Sequence, residues 1–419
     1  EQEEQPGQQN ETTLPQDISL TEPTIQGSEL LLVDATSANR FNEEIGATAE
    51  NQSILRVKNG GAFTANQTIF TKSGDTTSQT ESGLFGLNAA IIAETGGTIT
   101  LEQAVLHSEA TGSTAVFANG AGSTAKLTDV AITTAGDASP GLGAVDSGSV
   151  IADGVNIATT GLASAGLTTG WGNGTCRVDN AVINTNGTDS PAIVAAGVVS
   201  VMNSHLTATN APGATVTDNG SLLLYNCQLT GGKESGISFY QTTTEPNITN
   251  IFNATNGNIT AQEGALFYAT NSHVDLQLKE VSLLNESFQL LHAAADTLGK
   301  EGANGATISL TATKQTLPGN VTADALSSVA LTLLDNSTLR GAMNHENTAK
   351  SASLSLDKSS TWQITGDSYL TVFQDEDATF SNIKDKGFTI YYDAQNAANQ
   401  WLAGKTYTLN EGGTLQPFK

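Results

Sequence analysis

The sequence predicts an all-β solenoid in which short strands wind into stacked coils, that is, a parallel β-helix. Six consecutive segments share one pattern of apolar and polar residues, and their starts are 26, 25, 26, 23 and 23 residues apart. They cover residues 101–116, 127–142, 152–167, 178–193, 201–216 and 224–237. A period of this length is typical of repeat proteins, in which each unit buries its apolar side chains against the next unit.

The strands follow from the spacing of apolar residues inside each segment. Apolar and polar residues alternate over short runs, which is strand periodicity, and no run keeps a helical period of 3.6 residues. The first position of the segment is apolar in all six, where it reads Leu101, Leu127, Ala152, Val178, Val201 and Leu224. We therefore expect three short strands per coil, with equivalent residues about 4.8 Å apart in neighbouring coils.

One bend between strands is predicted by the third position of the segment. This position is occupied by Gln103, Asp129, Gly154, Asn180, Asn203 and Asn226. Asn, Asp and Gly enter the left-handed backbone region at the lowest cost, so a bend there needs such a residue in every coil. We expect the three successive asparagines, Asn180, Asn203 and Asn226, to form a ladder of side-chain hydrogen bonds along the stack.

The residues at the third and eighth positions of the units resemble those of a known family. Together with the hydroxyl residues at the eighth position (Ser108, Thr134, Thr159 and Thr185), the asparagine column resembles the right-handed parallel β-helix superfamily of pectin-lyase-like proteins. Pectate lyases and autotransporter passengers typify that superfamily, and its members carry an asparagine ladder at one bend. The resemblance implies a right-handed helix with stacked hydroxyl side chains.

A second resemblance lies near the end of the chain. The segment Ser359–Ser368, SSTWQITGDS, resembles the W-x-(I/V/L)-T-G-x-S turns of autotransporter passengers and other surface adhesins. This likeness covers about the last third of the chain. It implies a protein that is presented on a surface.

We predict a single solenoid of about a dozen coils with a cap at each end. Residues 1–28 are read as a polar tail, either a linker or a docking segment, 29–385 as the β-helix, and 386–419 as a C-terminal cap. At the first coil, 35–45 is expected to form a short covering helix. The C-terminal cap is expected to contain a strand at 388–392, a helix at 394–403 and a hairpin formed by 406–409 and 412–415.

The amino-acid composition limits the classes of molecule that this chain is expected to bind. The chain carries 42 acidic and 17 basic residues, for a net charge of −25. Such a surface repels nucleic acid and acidic lipid headgroups, so we expect neither as a partner. With four arginines the chain has few cationic groups to hold a polyanionic sugar as a pectate lyase does, although a calcium ion could supply the positive charge instead. No apolar run is long enough for a transmembrane helix, and the polar composition with two cysteines is typical of secreted proteins.

The first residue is Glu1 rather than Met, and we expect a segment to have been removed before it. The sequence contains no HExxH, GxSxG, P-loop or CxxC motif and no G-x-G-x-x-G that opens a helix. The best carboxylate pair is Asp153 and Asp179, which share the second position of adjacent coils. Paired carboxylates cleave glycosidic bonds, one as acid and the other as base or nucleophile. We favour a solvated acidic face over catalysis at this pair.

Two further groups are candidates for ligand contact. Asp375, Glu376 and Asp377 form the densest acidic cluster, and hard oxygen ligands suit calcium, although we favour an exposed loop. Trp171 lies in a glycine-rich loop and is the best candidate for an exposed sugar contact. Tyr240 and Tyr268 are weaker candidates of the same kind.

The sequence therefore predicts a non-catalytic extracellular surface protein, either an adhesin or the subunit of a self-assembling filament or matrix. Its expected partners are further copies of itself or surface glycans and proteins, with no cofactor apart from the calcium alternative. The competing class is a polysaccharide lyase or glycoside hydrolase that acts through Asp153 and Asp179.

Overall fold

The computed structural model describes residues 23–245 and 247–418. It is an all-β parallel solenoid of about 16 turns with very little helix. The predicted fold class is confirmed, but the predicted number of coils is too low. Several strands of the last turns are only two or three residues long, too short for alternation to be read from sequence. Most of the predicted tail, residues 1–22, lies outside the described residues.

The first strands of the coils form a parallel sheet of 12 strands. Its strands are Ser28–Asp34, Gln52–Lys58, Ile91–Glu94, Val116–Asn119, Leu142–Val145, Leu167–Thr169, Ile193–Ala195, Ala214–Thr217, Ser235–Tyr240, Ala265–Ala269, Gln289–Ala293 and Asn320–Ala323. Each strand pairs with its equivalent in the next coil, so every side chain belongs to a column that runs along the solenoid axis.

The second and third strands of the coils form a sheet of 22 strands. The second strands are Ser37–Phe41, Ala62–Asn66, Thr98–Glu102, Thr124–Thr128, Ser149–Asp153, Thr175–Asp179, Val198–Met202, His273–Lys279, Thr307–Thr313, Ser328–Leu334, Ser351–Leu356 and Val372–Asp375. The third strands are Glu44–Ala47, Ile69–Lys72, Val105–Ser108, Ala131–Thr134, Asn156–Thr159, Val182–Thr188, His205–Asn210 and Ser282–Asn285. In two coils one long strand, Ser221–Gly231 or Asn250–Ala261, runs through both positions.

Two four-stranded sheets complete the C-terminal turns. One contains Thr316–Pro318, Thr338–Arg340, Thr361–Gln363 and Ile383–Lys384, and the other contains Ser368–Leu370, Thr389–Tyr392, Thr414–Pro417 and Tyr407–Thr408. The last of these strands runs antiparallel to Thr414–Pro417. The helices are an α-helix at Gln79–Phe85 and a 3-10 helix at Ala397–Leu402.

The bend between the second and third strands, called here the left-handed bend, holds one residue of positive φ in most coils. From Gln103 through Asn226 these φ angles lie between 49° and 66°. The column continues on both sides, where it includes Gln67 and Asn256. A side chain at such a position points to solvent while the strands on either side keep their register.

The bend between the third strand and the next first strand is closed by buried hydroxyl groups. Thr134, Thr159 and Thr185 each donate a hydrogen bond to the carbonyl of a serine five residues later in the same coil. The hydroxyls of those serines accept hydrogen bonds from the backbone of the preceding coil, as when Ser139 N donates to Ser164 Oγ at 2.9 Å. These hydroxyl stacks therefore satisfy buried backbone groups that the strands leave unpaired.

One core-facing column, called here the axial column, runs nearly the whole length of the solenoid. Its middle members are Ala65, Leu101, Leu127, Ala152, Val178, Val201, Leu224, Ala254, Leu278, Ala312, Leu333 and Leu356. The pairing register continues it to Arg40 in the first coil and to Asp375 in the last strand of the sheet. The column is thus apolar in the middle and charged at each end.

The prediction of a covering helix at 35–45 is wrong. This stretch forms the strand Ser37–Phe41 and the start of the strand Glu44–Ala47, which together belong to the first coil. Arg40 closes the core there, with its Nε 3.3 Å from Glu43 Oε2 and its Nη1 donating to the carbonyl of Asn39. An inward-pointing charge of this kind blocks the addition of further strands.

The C-terminal end is closed by the 3-10 helix. Asn399 Oδ1 accepts from the backbone N of Phe373, and Trp401 Nε1 donates to the carbonyl of Phe373 at 3.0 Å. The Trp401 ring packs against Phe373 and Phe380 and stays partly exposed. The helix therefore covers the free edge of the strand Val372–Asp375.

Candidate functional site

The left-handed bend between Asn180 and Asn226 is held by side-chain hydrogen bonds between neighbouring coils. Asn226 Nδ2 donates to Asn203 Oδ1 at 2.9 Å. Asn203 Nδ2 donates to Asp179 Oδ1 at 2.9 Å, and Asn180 Nδ2 donates to Asp153 Oδ1 at 2.8 Å. The asparagine ladder is therefore continuous only from Asn226 to Asn203, because Asn203 and Asn180 each donate to an aspartate of the preceding coil instead of linking to each other.

These bonds also fix the two candidate catalytic carboxylates. Asp153 and Asp179 are paired residues of adjacent strands. Each accepts a hydrogen bond from the asparagine of the coil that follows it. Both groups therefore have a structural partner at the bend.

A shallow groove of about 510 Å³ follows the same bend. It is lined by Asn180, Ala181, Val182, Asn203, Ser204, His205, Asn226, Gln228, Gly257 and Asn258. The asparagines come from the bend, and His205, Gln228 and Asn258 form an outward column on the third strands. We call this feature the asparagine groove.

Beside the groove lies an exposed apolar patch on three adjacent second strands. Tyr225 is 51% exposed, and Val198, Leu223 and Ile251 are 42%, 38% and 37% exposed. Met202, the paired neighbour of Tyr225, completes the patch. Asn203 N donates to the carbonyl of Tyr225 at 3.0 Å, so the patch and the groove share an edge. Together they form what we call the Tyr225 face.

The three coils of this face carry no carboxylate, lysine or arginine on their outward strand positions. Their outward residues are Val198, Ser200, Met202, His205 and Thr207, then Ser221, Leu223, Tyr225, Gln228 and Thr230, and then Ile251, Asn253, Thr255, Asn258 and Thr260. Charged residues return on both sides, as Arg177 and Asp179 in the preceding coil and Asp275 and Lys279 in the following one. The face is an uncharged window in an acidic protein.

Two polar side chains of the window, His205 and Gln228, are open to a ligand. The Oδ1 atoms of Asn253 and Asn258 are buried acceptors that have no donor among the described residues. The exposed His205 and the neighbouring Gln228 have no side-chain hydrogen-bond partner among the described residues. An exposed aromatic ring next to amide groups can bind a ligand with an apolar surface and a hydroxyl-rich rim.

Sequence reasoning missed Tyr225, although a signal for it exists. In the coil that contains the sixth unit, the run Ser221–Asn226 reads SLLLYN, which places Leu223 and Tyr225 at outward positions. The equivalent pair in the coil of the fourth unit is Arg177 and Asp179. An apolar pair at positions that are polar in another unit marks an exposed patch.

Trp171 does not stand free in its loop. Its Nε1 donates to the carbonyl of Leu84 at 2.8 Å, and its ring lies edge-on to Phe85 with centroids 6.0 Å apart. It also packs against a small buried cluster of Ala89, Ile92, Phe117 and Val145. Trp171 therefore anchors the helix Gln79–Phe85 on the solenoid side.

Tyr268 lies on the first sheet, away from the Tyr225 face. Its hydroxyl donates to Asp296 Oδ2 at 3.0 Å, and its ring stacks on His292 with centroids 5.8 Å apart. Burial raises the pKa of Tyr268 and lowers the pKa of His292, whose Nδ1 lies 2.8 Å from Thr322 Oγ1. Tyr240 is half-buried and belongs to the preceding coil.

The acidic cluster at 375–377 does not converge on one point. Asp377 accepts hydrogen bonds from Ser381 and Thr379, which lower its pKa. Asp375 faces the core end, and burial raises its pKa to about 6. Within residues 23–245 and 247–418, no group of three or more His, Cys, Asp or Glu side chains is arranged to hold a metal ion.

No protein family matches this chain, and no curated protein sequence matches it. Among solved structures, the chain is similar to the crystal structure of a TibA fragment that was hyper-glycosylated in a TibC-catalysed reaction. The two share 12% sequence identity over 91% of this chain and 97% of the other, with a TM-score of 0.33. A likeness of this size carries no argument about function.

Helices in the described part of the chain are too short and too polar to cross a membrane.

Proposed function

We propose that this protein is a non-catalytic, secreted surface protein of the adhesin type, which acts as an individual rod and binds through its side. The observation that carries this proposal is the Tyr225 face, where a half-exposed tyrosine and three exposed aliphatic side chains adjoin an open amide groove. Contiguous exposed apolar surface with a polar rim marks interaction sites on soluble proteins.

Closed ends favour an individual rod over a filament that grows by stacking. The axial column ends in Arg40 at one end, and the 3-10 helix covers the last second strand at the other. The acidic surface adds repulsion between copies, since the net charge is −25. Lateral binding to another surface is therefore the more accessible mode of interaction.

The turn that resembles those of autotransporter passengers supports the same class. In the segment Ser359–Ser368, Trp362 is fully buried and its Nε1 donates to the carbonyl of Gly341 at 2.9 Å. Ser360 and Ser368 accept backbone hydrogen bonds from the preceding coil. The motif thus closes a coil, and its likeness to pectin-lyase-like passengers and adhesins supports an extracellular location.

Two measurements test this proposal together. Negative-stain microscopy with light scattering should show single rods near physiological salt, with or without calcium. The labelled protein should attach to cell surfaces or extracellular matrix, and the double variant Leu223→Ser/Tyr225→Ser should lose attachment while keeping its melting temperature. Fibres or sheets in the microscope would favour the filament class instead. Attachment of the double variant at the wild-type level would show that the Tyr225 face is not the binding surface.

The pairing of Asp153 with Asp179 favours one other function, that of a polysaccharide lyase or glycoside hydrolase. Strand spacing brings two such carboxylates about 5 Å apart, close to the separation in retaining glycosidases. Release of reducing ends or of unsaturated products from a panel of polysaccharides tests it. Activity that disappears in Asp179→Asn would establish the enzyme, and a wild type inactive on the whole panel would count against it.

A further inference from the structure

The Tyr225 face repeats its chemistry from coil to coil. The column of Met202, Tyr225 and Thr255 lies next to the bend asparagines, and beyond them comes the column of His205, Gln228 and Asn258. Neighbouring coils are about 4.8 Å apart. A ligand that lies along the axis therefore meets a ring or methyl group on one side and an amide or imidazole on the other at each coil.

Charge limits the class of ligand. A polyanion would be repelled by a chain of net charge −25, and the window offers no lysine or arginine to offset this. A polycation would be drawn to carboxylates, and the nearest ones, Asp179 and Asp275, lie in the flanking coils. An uncharged ligand is the one that this window can hold without leaving charge unpaired.

Sugars in a linear polysaccharide fit both halves of the face. A pyranose has an apolar face of C–H bonds that can lie on the Tyr225 ring and a rim of hydroxyls that can reach the amides. Its hydroxyls can form hydrogen bonds with the exposed side chains of His205 and Gln228, which have no side-chain hydrogen-bond partner among the described residues. An extended glycan advances by a length per sugar that is close to the spacing between coils.

We propose that the Tyr225 face binds an uncharged polysaccharide along the solenoid axis, with about one sugar per coil and one sugar stacked on Tyr225. This proposal rests on the lateral binding role proposed above and assigns the class of ligand. Tyr225 supplies the stacking surface, and Gln228, His205 and the asparagines of the groove supply hydrogen bonds to hydroxyls.

The test measures the affinity of the full chain for soluble neutral glycans, such as a β-glucan, a mannan and a xylan, and for the acidic glycans polygalacturonate and alginate. Tyr225→Ala should weaken binding to the preferred neutral glycan by about tenfold or more. Phe41→Ala is the matched control. Phe41 is an exposed aromatic residue in the same outward column, seven coils away from Tyr225 and without the amide groove. Phe41→Ala should leave glycan binding unchanged, and Gln228→Leu should weaken glycan binding.

Salt dependence adds a readout that separates ligand classes. Binding of a neutral glycan should be nearly the same at low and high ionic strength, whereas binding of a charged partner weakens steeply with salt. The proposal falls if no neutral glycan binds, if Tyr225→Ala and Phe41→Ala have equal effects, or if an acidic glycan binds best. If the wild type attaches to surfaces through Tyr225 but no neutral glycan binds, the ligand class is wrong and the lateral binding role stands.

Discussion

The axial column is apolar in the middle of the rod and charged at its two ends, although all of its members occupy the same structural position in their coils. From Ala65 to Leu356 the column is apolar, and each side chain is buried between its equivalents in the adjoining coils. At Arg40 and Asp375, where the column ends among the described residues, the position is charged. The axial column therefore contributes both to the packing of the coils on one another and to the end of the stack.

This difference shows why an open solenoid needs more than good coils. A parallel stack offers unpaired backbone groups at each end, which would template further strands. In this chain a charge replaces an apolar side chain at both ends, and a helix additionally covers one of them. Within the described residues, the apolar repeat of the axial column is therefore interrupted at both of its ends.

The largest effect on stability is expected when a charged residue, like those at the two ends of the axial column, is placed in the middle of that column. Val201→Asp places a carboxylate at a fully buried position between Val178 and Leu224. An unpaired buried charge costs at least about 3 kcal/mol, so we expect loss of the central coils. Hydrogen exchange should show lost protection in the strands around residue 201, and Val201→Ala should be much milder. A Val201→Asp variant as protected as the wild type would show that the column is not closed to charge.

The reverse change, an apolar residue in place of the charge at the N-terminal end of the axial column, should allow copies of the chain to associate end to end. Arg40→Leu gives the first coil the apolar residue of the middle and removes the charge that blocks strand addition. We expect dimers or longer end-to-end species in light scattering and microscopy. Arg340→Leu is the control, because it removes the same charge from an exposed strand position. If both variants stay monomeric, Arg40 is not what keeps the N-terminal end closed.

A smaller effect is expected at the left-handed bend of the middle coils, where backbone conformation and ligand chemistry can be separated. Asn203 has φ of 49° and lines the asparagine groove. Asn203→Ala should cost about 1–2 kcal/mol, since a Cβ without a polar group is disfavoured there, and Asn203→Gly should cost much less. Thermal melts of the two variants compare these costs. Equal melting temperatures would mean that the left-handed conformation is not what the residue provides.

The middle of the rod and the C-terminal cap could be predicted from sequence, and the N-terminal end could not. The strand Thr389–Tyr392, the 3-10 helix Ala397–Leu402 and the antiparallel pair of Tyr407–Thr408 and Thr414–Pro417 lie where a strand, a helix and a hairpin were predicted. Alternation repeats faithfully in residues 101–237, so coils, core positions and the left-handed bend follow from it. At 35–45 the axial column holds Arg40 instead of an apolar residue, so the stretch does not show the apolar pattern of the middle coils, and the helix predicted there is wrong. Trp171 was predicted to be exposed because its loop is rich in glycine. Its partner is the helix Gln79–Phe85, which local sequence does not connect to that loop.

The smallest expected effect is a pH dependence at the C-terminal end of the axial column. Asp375 Oδ1 accepts from Asp377 N and Asn382 Nδ2, both at 2.9 Å, while Asp375 Oδ2 and Asn382 Oδ1 are buried and have no partner among residues 23–245 and 247–418. Burial, with the nearby charges of Asp377 and Glu376, raises the pKa of Asp375 to about 6, against about 3.9 in an unfolded chain. A raised carboxyl pKa contributes stability that is fully present below about pH 4 and is lost as the pH rises through about 6.

Asp375→Asn removes this titration and supplies an N–H that can reach Asn382 Oδ1. At pH 7 the variant should be more stable than the wild type by about 1 kcal/mol after allowance for solvent screening, and the advantage should shrink to nothing near pH 4. Melting temperatures of both proteins between pH 4 and pH 7 measure the difference. Asp377→Asn is the opposite control, because hydrogen bonds from Ser381 and Thr379 lower the pKa of Asp377 and its loss should destabilise the protein at pH 7. A constant difference between Asp375→Asn and the wild type across this range would show that Asp375 stays charged at the end of the column.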